Sequence, residues 1–315
     1  MAGAIATDRP AARDVVKEAI RRRIPVPLAP ILQQGKRRYA GVRARAARRA
    51  FESAERSPAW LDAELLPRLH ERYPRCGYGY GYDPHALARR GAERARVLGR
   101  LLKQPGMSTL ELACADGMVS YELATAGARA TALDVSDALF DSRARDAGVR
   151  FVEADAAQIP CAEAQFDLVC SYNAFEHFAD PDAVLREAIR VTKPGGTIYL
   201  LFGPLYWSSY GLHALRSICV PFCHLLFDRA SLESYVDERR LAAIPFETLN
   251  GWSLGQFRDL WRRHAASLRP DVYREIPSVH GIDLVTDHPS CFRSKTDDFD
   301  NLLVGVIEAR FRRLG

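Results

Sequence analysis

The sequence has no long hydrophobic run, although 48% of its 315 residues are hydrophobic. No apolar stretch approaches the roughly 18 residues that a membrane-spanning helix needs, so membrane insertion is not expected. The first residues, MAGAIATDRPAARD, lack a basic segment followed by an apolar one, so no secretory signal is predicted. The seven cysteines are odd in number and scattered, which favours buried, reduced side chains over a disulfide framework. These absences predict a cytoplasmic protein.

Positive charge is concentrated at one end of the chain. Residues 1–100 carry 22 Lys and Arg against 10 Asp and Glu, whereas residues 101–315 carry 22 against 29. A basic segment of this kind can contact nucleic acid, an anionic membrane surface or an acidic substrate. The Arg residues alternate with Ala and Glu at helical spacing, so we favour a solvated, Arg-rich helical extension.

The first 95 residues predict this basic, mainly helical extension, which would cap a second domain at 96–315. Helices are predicted at Ala11–Arg23 and Lys36–Glu55, separated by an extended IPVPLAP segment at 24–30. Another helix is predicted from His85 to Leu102.

From Thr109 onward, short apolar runs alternate with helical segments. The runs predict buried strands at 109–113, 130–134, 149–155, 166–172 and 197–202. The segments between them predict crossover helices at 119–126, 137–146 and 182–191. Strands and helices alternating at this spacing indicate an α/β fold with a doubly wound, mostly parallel sheet.

The last third is less regular. An aromatic-rich insertion begins at 203 and is predicted to form a lid over 203–245. Helices are expected at Ser231–Ala242 and Leu254–His264. Two strands are expected near Ile282–Thr286 and Leu302–Arg310, within a C-terminal region at 280–312.

The loop after the first strand lacks the G-x-G-x-x-G pattern of dinucleotide-binding proteins. It reads ELACADG, with Glu111 followed by Ala113, Ala115 and Gly117 at alternate positions. The pattern resembles the first motif of methyltransferases, an acidic residue followed by x-G-x-G-x-G. Two of the three glycines are alanine here, and the retained Gly117 can supply a positive φ.

Five further elements follow in the order of the same family. The second strand ends at Asp134, and the third ends at Asp155–Ala156. Then come IPCAEAQFDLV at 159–169, NAFEHFADP at 173–181 and VTKPGGTIYLLF at 191–202. Together they resemble the class I S-adenosylmethionine-dependent methyltransferases of the ubiquinone and menaquinone biosynthesis type. The resemblance implies a Rossmann-like, seven-stranded sheet, S-adenosyl-L-methionine as cofactor, and methyl transfer.

The resemblance also implies the cofactor-binding residues. A carboxylate at the end of the second strand can accept hydrogen bonds from both ribose hydroxyls, which suits Asp134. Tyr80, in the run Tyr78, Tyr80 and Tyr82, either closes over the cofactor or belongs to a turn of stacked tyrosines. The full predicted set is Glu111, Ala113, Ala115, Gly117, Asp134, Val135, Asp155, Ala156, Asn173 and Tyr80.

Catalytic residues are sought at the same edge of the sheet. Glu176 and His177 follow the fourth strand, where a histidine or a carboxylate can remove the proton of a hydroxyl acceptor. His213 and His224 follow the fifth strand and can bind or deprotonate the acceptor. Packing roles for all four remain open.

Metal binding is the less favoured interpretation of this cluster. Small-RNA 2′-O-methyltransferases and some ubiquinone O-methyltransferases resemble the segment with E-x-x-E-H, whose groups can hold a divalent metal. Here Asn173, a poorer ligand, replaces the first Glu. Glu176, His177, His213 and His224 could still form a mixed N/O site.

The acceptor is predicted to be a small molecule, such as a secondary metabolite or a saccharide, methylated on a hydroxyl or an amine. Tyr206, Trp207 and Tyr210 of the insertion are the predicted substrate contacts. Two alternatives are a nucleic-acid methyltransferase that uses the basic arm, and a non-catalytic binding module suggested by the two lost glycines. Nucleic acid is not the expected partner, and a homodimer stays open.

Overall fold

The computed structural model describes residues 28–74, 81 and 83–315, with side chains from residue 41 onward. The predicted helix Ala11–Arg23, most of IPVPLAP, and the three tyrosines including Tyr80 lie outside the described residues. The chain divides into two compact units, residues 1–46 and 47–315. The second unit therefore takes in residues that the predicted boundary near 95 assigns to the extension. Among the described helices, none is long and apolar enough to cross a membrane.

Within the described residues, three helices precede the sheet: α1 (Leu28–Ser53), α2 (Leu65–Arg72) and α3 (Pro84–Gly99). The expectation of an extended chain is wrong at Leu28–Pro30, where α1 begins. Proline is tolerated in a first helical turn, because its missing N–H has no partner there. Asp83 caps α3, since its carboxylate accepts from the backbone N–H groups of His85 and Ala86.

A seven-stranded sheet forms the centre of the second unit. Its strands are β1 (Ser108–Leu112), β2 (Arg129–Asp134), β3 (Arg150–Glu153), β4 (Phe166–Tyr172), β5 (Thr192–Phe202), β6 (Leu268–Pro277) and β7 (Val304–Arg313). The order across the sheet is β3-β2-β1-β4-β5-β7-β6. Strands β1 to β5 are parallel, and β7 runs antiparallel to both β5 and β6. The predicted α/β fold with a mostly parallel, seven-stranded sheet is confirmed.

The crossover helices lie close to their predicted positions. They are α4 (Met118–Thr125), α5 (Ser142–Asp146) and α6 (Pro181–Val191). Helix α5 is shorter than predicted, because its N-cap is Asp141 and the preceding residues form a loop. Central strands are buried on both faces, as β1 is throughout its length.

Two expectations for the C-terminal region are wrong. Ile282–Thr286 is not a strand but lies in helix α10 (Ile282–Asp287). The missing strand is β6, at Leu268–Pro277. Its sequence, LRPDVYREIP, is polar and contains two prolines, because β6 is a largely exposed edge strand. Apolar content alone therefore could not identify it.

The remaining helices complete the second unit. They are α7 (Cys223–Leu226), α8 (Arg229–Glu238), a 3-10 turn (Phe246–Thr248), α9 (Leu254–Arg263), α11 (Pro289–Arg293) and α12 (Asp300–Leu303). The insertion at 203–227 is largely buried and packs with Phe51, Leu66 and α8 in a second hydrophobic cluster. It is thus a packed layer in this structure, and a lid function stays a prediction.

Among the described residues, the cysteines follow the expectation except at Cys219. Cys114, Cys161, Cys170, Cys223 and Cys291 are free thiols. Cys219 is disulfide-bonded, so the expectation of reduced cysteines is wrong at that position. Disulfide pairing depends on which Cβ atoms the fold brings together, and spacing along the chain does not reveal it.

Candidate active site

The loop after β1 has the backbone conformation of a glycine-rich loop, although two of its three glycine positions hold alanine. Ala113, Ala115 and Gly117 have φ angles of 51°, 47° and 69°, all in the left-handed region. Alanine is strained there because its Cβ approaches the following carbonyl oxygen. The three alternate positions that the sequence singled out therefore share one conformation, and two of them store strain.

We expect Ala113→Gly and Ala115→Gly each to raise the free energy of unfolding by about 1 kcal/mol, because glycine adopts a positive φ without that clash. Denaturant unfolding measures the change. Ala92→Gly, inside α3, is the control and should lower stability by about 1 kcal/mol, since glycine is a poor helix former. Destabilisation by both loop variants would contradict a strained loop.

Gly117 and Asp116 connect this loop to the helices around it. Gly117 is the N-cap of α4, and the ring of Phe140 lies against it. The Asp116 carboxylate forms an ion pair with Arg90 of α3 at 2.7 Å and accepts from the N–H of Met118. Sequence reasoning missed Arg90, since an Arg in an Arg-rich helix carries no local signal of its partner.

Glu111 is fully buried beneath the loop. Its carboxylate accepts from the backbone N–H of Ser120 at 3.0 Å and from the Ser120 hydroxyl at 2.7 Å. Burial raises the pKa of Glu111 to about 7, and the bonds from Ser120 act against that rise. Glu111 therefore connects β1 to α4 through hydrogen bonds at the base of the loop. A direct contact between Glu111 and the cofactor stays a prediction.

Asp134 lies at the carboxyl end of β2, beside the loop. One carboxylate oxygen accepts from the N–H of Ala115 at 2.8 Å, and the other accepts from the N–H of Val135 at 2.8 Å. Each oxygen keeps lone pairs for further donors. Val135, which follows it, and Leu139, in the loop before Asp141, are 68% and 64% exposed, more than any other large hydrophobic side chain in the described part of the chain. The edge thus offers a carboxylate beside uncovered apolar surface.

Asp155 follows β3 at the same edge. The N–H of Ala154 donates to the Asp134 carbonyl at 2.9 Å, which joins the ends of β2 and β3. The exposed Asp155 carboxylate accepts from the N–H of Ala157 at 2.8 Å, and Ala156 between them is buried. The structure therefore brings Asp155 to the edge next to Asp134, as the sequence predicts.

The segment after β4 forms the next part of the edge. Asn173 has a φ of 51°, and its N–H donates to the Leu201 carbonyl of β5 at 2.8 Å. Asn250 holds the rest of the segment, because its side-chain amide donates to the carbonyls of Phe175 and Phe178. Nothing in the sequence pointed to Asn250, whose partners are backbone atoms.

Glu176, His177 and His213 converge above β4 and β5. A ligand atom from each lies within 4.8 Å of the others, and the two imidazole rings are 4.9 Å apart, edge to face. One Glu176 oxygen accepts from the Gly203 N–H at 3.0 Å. The other is buried without a hydrogen-bond partner. Burial raises the pKa of Glu176 to about 7.

Backbone carbonyls determine the tautomer of both histidines. Nδ1 of His177 lies 2.6 Å from the Thr248 carbonyl, and Nε2 of His213 lies 2.8 Å from the Pro204 carbonyl. A carbonyl only accepts, so each of these nitrogens carries the hydrogen and the other nitrogen of the ring carries a lone pair. Burial lowers the pKa of His213 to about 4, so its ring is neutral.

His224 and the predicted substrate contacts lie in the insertion. His224 is not part of the three-residue group. It is buried between Cys223 and Leu225 of the second hydrophobic cluster, and its Nε2 lies 2.6 Å from the Tyr206 carbonyl. Trp207 donates to the Gly251 carbonyl, and Tyr210 stacks on His280. These aromatic residues therefore pack against the insertion and against residues that follow it, and their contact with a substrate stays a prediction.

Known proteins match the part of the chain that contains β1 to β5. Residues 110–200 match a family described as "Methyltransferase domain". A demethylmenaquinone methyltransferase from Clavibacter sepedonicus is 33% identical over 156 residues, or 47% of this chain and 63% of that protein. Another from Corynebacterium efficiens is 34% identical and covers 51% of this chain and 74% of that protein. The chain belongs to the class I S-adenosylmethionine-dependent methyltransferases.

Other methyltransferases match over shorter shares. A 27-O-demethylrifamycin SV methyltransferase from Amycolatopsis mediterranei is 30% identical, over 48% of this chain and 59% of that protein. The chain thus spans less than two thirds of several of these relatives. A solved SAM-dependent methyltransferase from Methanosarcina mazei is 17% identical, with a TM-score of 0.43, over 69% of this chain and 97% of that one.

The residues at the edge fit the cofactor of this methyltransferase family, S-adenosyl-L-methionine. Asp134 has lone pairs for a ribose diol, and the exposed Val135 and Leu139 offer apolar surface for an adenine ring. The nearby Asp155 can accept from the exocyclic amine of adenine. S-adenosyl-L-methionine contains no phosphate. Replacing two glycines of the loop with Ala113 and Ala115 therefore removes no phosphate contact.

Proposed function

We propose that this methyltransferase transfers a methyl group from S-adenosyl-L-methionine to a hydroxyl or an amine of a small molecule. The observation that supports this best is the placement of two half-sites on neighbouring strands. The left-handed loop follows β1, and Asp134 ends β2. Glu176 and His177 follow β4, which pairs with β1, and His213, which follows β5, lies close to both. Ligands of open α/β sheets bind at this carboxyl edge.

Bound S-adenosyl-L-methionine supplies a methyl group on a positively charged sulfur, which is already a good leaving group. The chain then has to align the acceptor and, for a hydroxyl, remove its proton. His177 is exposed at the rim, and its Nε2 carries a lone pair because Nδ1 donates to Thr248. We propose that this nitrogen accepts the proton of the hydroxyl group. Glu176 and His213 lie beside the His177 ring and position it.

A small acceptor is supported by the names of the relatives, which refer to a demethylated menaquinone and a demethylated rifamycin. We propose that aromatic side chains of the insertion, Tyr206, Trp207 and Tyr210, contact the apolar body of such a molecule. Neither the nucleic-acid alternative nor the non-catalytic alternative is favoured. A homodimer and a cytoplasmic location stay predictions.

Calorimetric titration with S-adenosyl-L-methionine and with S-adenosylhomocysteine tests the cofactor half of this proposal. We expect one equivalent of each to bind, with adenosine diphosphate as the control ligand that does not. A screen with tritiated methyl donor over metabolite fractions then tests transfer. No heat at millimolar cofactor would overturn the proposal as a whole.

A further inference from the structure

We propose that Glu176, His177 and His213 bind the acceptor, and that the acceptor is a primary or secondary amine held as its ammonium ion. This acceptor class deepens the function proposed above, on which it rests, since it selects an amine over a hydroxyl. His177 keeps its role as the base, because the proton that it removes then comes from the ammonium group. A free carboxylate oxygen, an excess of acceptor atoms and their spacing support an ammonium ion.

The carboxylate of Glu176 has one oxygen without a partner. Glu176 is 2% exposed, and its Oε1 accepts from the Gly203 N–H at 3.0 Å, whereas its Oε2 has no hydrogen-bond partner. A buried carboxylate oxygen is costly unless it accepts a hydrogen bond or lies beside a cation. An ammonium group supplies both a donor and a positive charge at the same point. Such a ligand would therefore complete the hydrogen bonding of Glu176.

The two imidazoles add further acceptors. Nδ1 of His177 and Nε2 of His213 carry their hydrogens toward the carbonyls of Thr248 and Pro204. The second nitrogen of each ring is therefore an acceptor, and Oε2 of Glu176 is a third. A hydroxyl has one hydrogen and satisfies one of these acceptors. A primary ammonium group has three hydrogens and a secondary one has two, so an amine matches the group better.

The spacing of the group fits a single nitrogen atom. One nitrogen of each ring and one carboxylate oxygen lie within 4.8 Å of one another. Acceptors about 2.9 Å from one tetrahedral nitrogen stand roughly 4.7 Å apart, so a single ammonium group can reach all three. His177 is exposed, which gives a ligand a path from the solvent. The group also lies at the carboxyl edge of the sheet, where β4 pairs with β1.

An ammonium ion must lose a proton before its nitrogen can react. The lone pair of His177 takes that proton, and a nearby sulfonium charge favours its loss. The amine nitrogen then bonds to the methyl carbon while the carbon–sulfur bond breaks, and sulfur keeps the electron pair. The products are a methylated ammonium ion, S-adenosylhomocysteine and a protonated His177, so both positive charges are conserved. The Glu176 carboxylate stabilises the charge that develops on nitrogen.

Calorimetric titration of phenethylamine and of phenethyl alcohol into the S-adenosylhomocysteine complex tests the acceptor class. The two probes share one skeleton and differ only in the amine and the hydroxyl, and a chelator excludes binding through a metal ion. We expect the amine to bind at least about tenfold more tightly, because charged hydrogen bonds are the stronger ones. Equal affinities, or no binding of either probe, would overturn the assignment.

Glu176→Gln should abolish the preference for the amine, because the amide keeps the size of the side chain but not its charge. Glu233→Gln is the matched control, since the exposed Glu233 carboxylate of α8 pairs with Arg229 at 2.7 Å, outside the group. It should retain the full preference. His177→Ala, at an exposed position, preserves the test if Glu176→Gln fails to fold, and should weaken amine binding about tenfold. A preference that survives both site variants contradicts the assignment.

The site of methyl transfer is the second measurement. Metabolite fractions are first divided on a cation exchanger, which retains amines, and are then incubated with the tritiated methyl donor. We expect the label in the retained fractions. Label only in the unretained fractions would leave the proposed function standing, with a hydroxyl acceptor, and remove only the amine. A failure to bind the cofactor would instead remove the proposed function itself.

Discussion

Asp134→Ala is expected to weaken binding of S-adenosyl-L-methionine by about 100-fold or more. The ribose diol would donate two hydrogen bonds to an ionised carboxylate, and each such bond contributes about 1.5–3 kcal/mol. A loss of about 3 kcal/mol corresponds to roughly 100-fold in the dissociation constant. The variant also loses the bond from the Ala115 N–H that holds the loop against β2. Calorimetric titration of both proteins measures the difference.

Asp137→Ala is the control for the removal of a carboxylate from the same loop. The Asp137 carboxylate is exposed and forms an ion pair with Arg145 at 2.7 Å, away from the Asp134 bonds. We expect its cofactor affinity to stay within about threefold of the unaltered chain, since exposed pairs of this kind contribute less than about 1 kcal/mol. Equal affinities of the Asp134 and Asp137 variants would show that the cofactor does not bind at the end of β2.

Gly117→Ala is expected to lower the free energy of unfolding by about 3 kcal/mol. Gly117 has a φ of 69°, and a Cβ there would lie 2.2 Å from Cε2 of Phe140. The substitution combines a strained backbone, which costs about 1–2 kcal/mol, with an overpacked contact, which costs about 1–3 kcal/mol. Phe140 is itself buried between Gly117 and Phe151, so it has little room to move. Denaturant unfolding measures the loss.

Gly148→Ala separates the two contributions. Gly148 has a φ of 79°, but a Cβ at this position would meet nothing within 4 Å, so only the backbone strain of about 1 kcal/mol should appear. The double variant Gly117→Ala with Phe140→Leu should recover part of the loss of the single variant. Similar losses at Gly117 and Gly148 would contradict the role assigned to Phe140, and would show that the loop tolerates alanine at all three alternate positions.

Much of the parallel sheet could be predicted from the sequence because its strands are buried on both faces. Continuous apolar runs such as FDLVCSY at 166–172 then coincide with the strand, as β4 does. The same criterion failed for β6, an exposed edge strand, and it misassigned Ile282–Thr286, a buried helical turn of similar composition. Apolar composition indicates that a segment is buried. It does not distinguish a buried strand from a short buried helix, and it cannot reveal an exposed strand.

Some residues of the candidate site could be predicted from the sequence, and others could not. Asp134 and Asp155 could be predicted because they end strands, and strand ends of a parallel sheet meet at one edge. The partners that position Glu176, His177 and His213 could not, since Gly203, Pro204 and Thr248 act through backbone atoms that any residue possesses. The sequence proposed His224 alongside them, and the packing of the insertion directs it to Tyr206.

The left-handed loop after β1 depends both on local sequence and on tertiary contacts. The sequence by itself determined where the loop lies, because alternate positions after a buried strand and a single retained Gly117 suffice to locate it. Only the tertiary structure decided that Ala113 and Ala115 keep the same conformation as Gly117. The physical reason is that local preference opposes a positive φ at alanine by about 1–2 kcal/mol. Contacts with Asp134, Leu133 and α4, which come from distant parts of the chain, outweigh that preference.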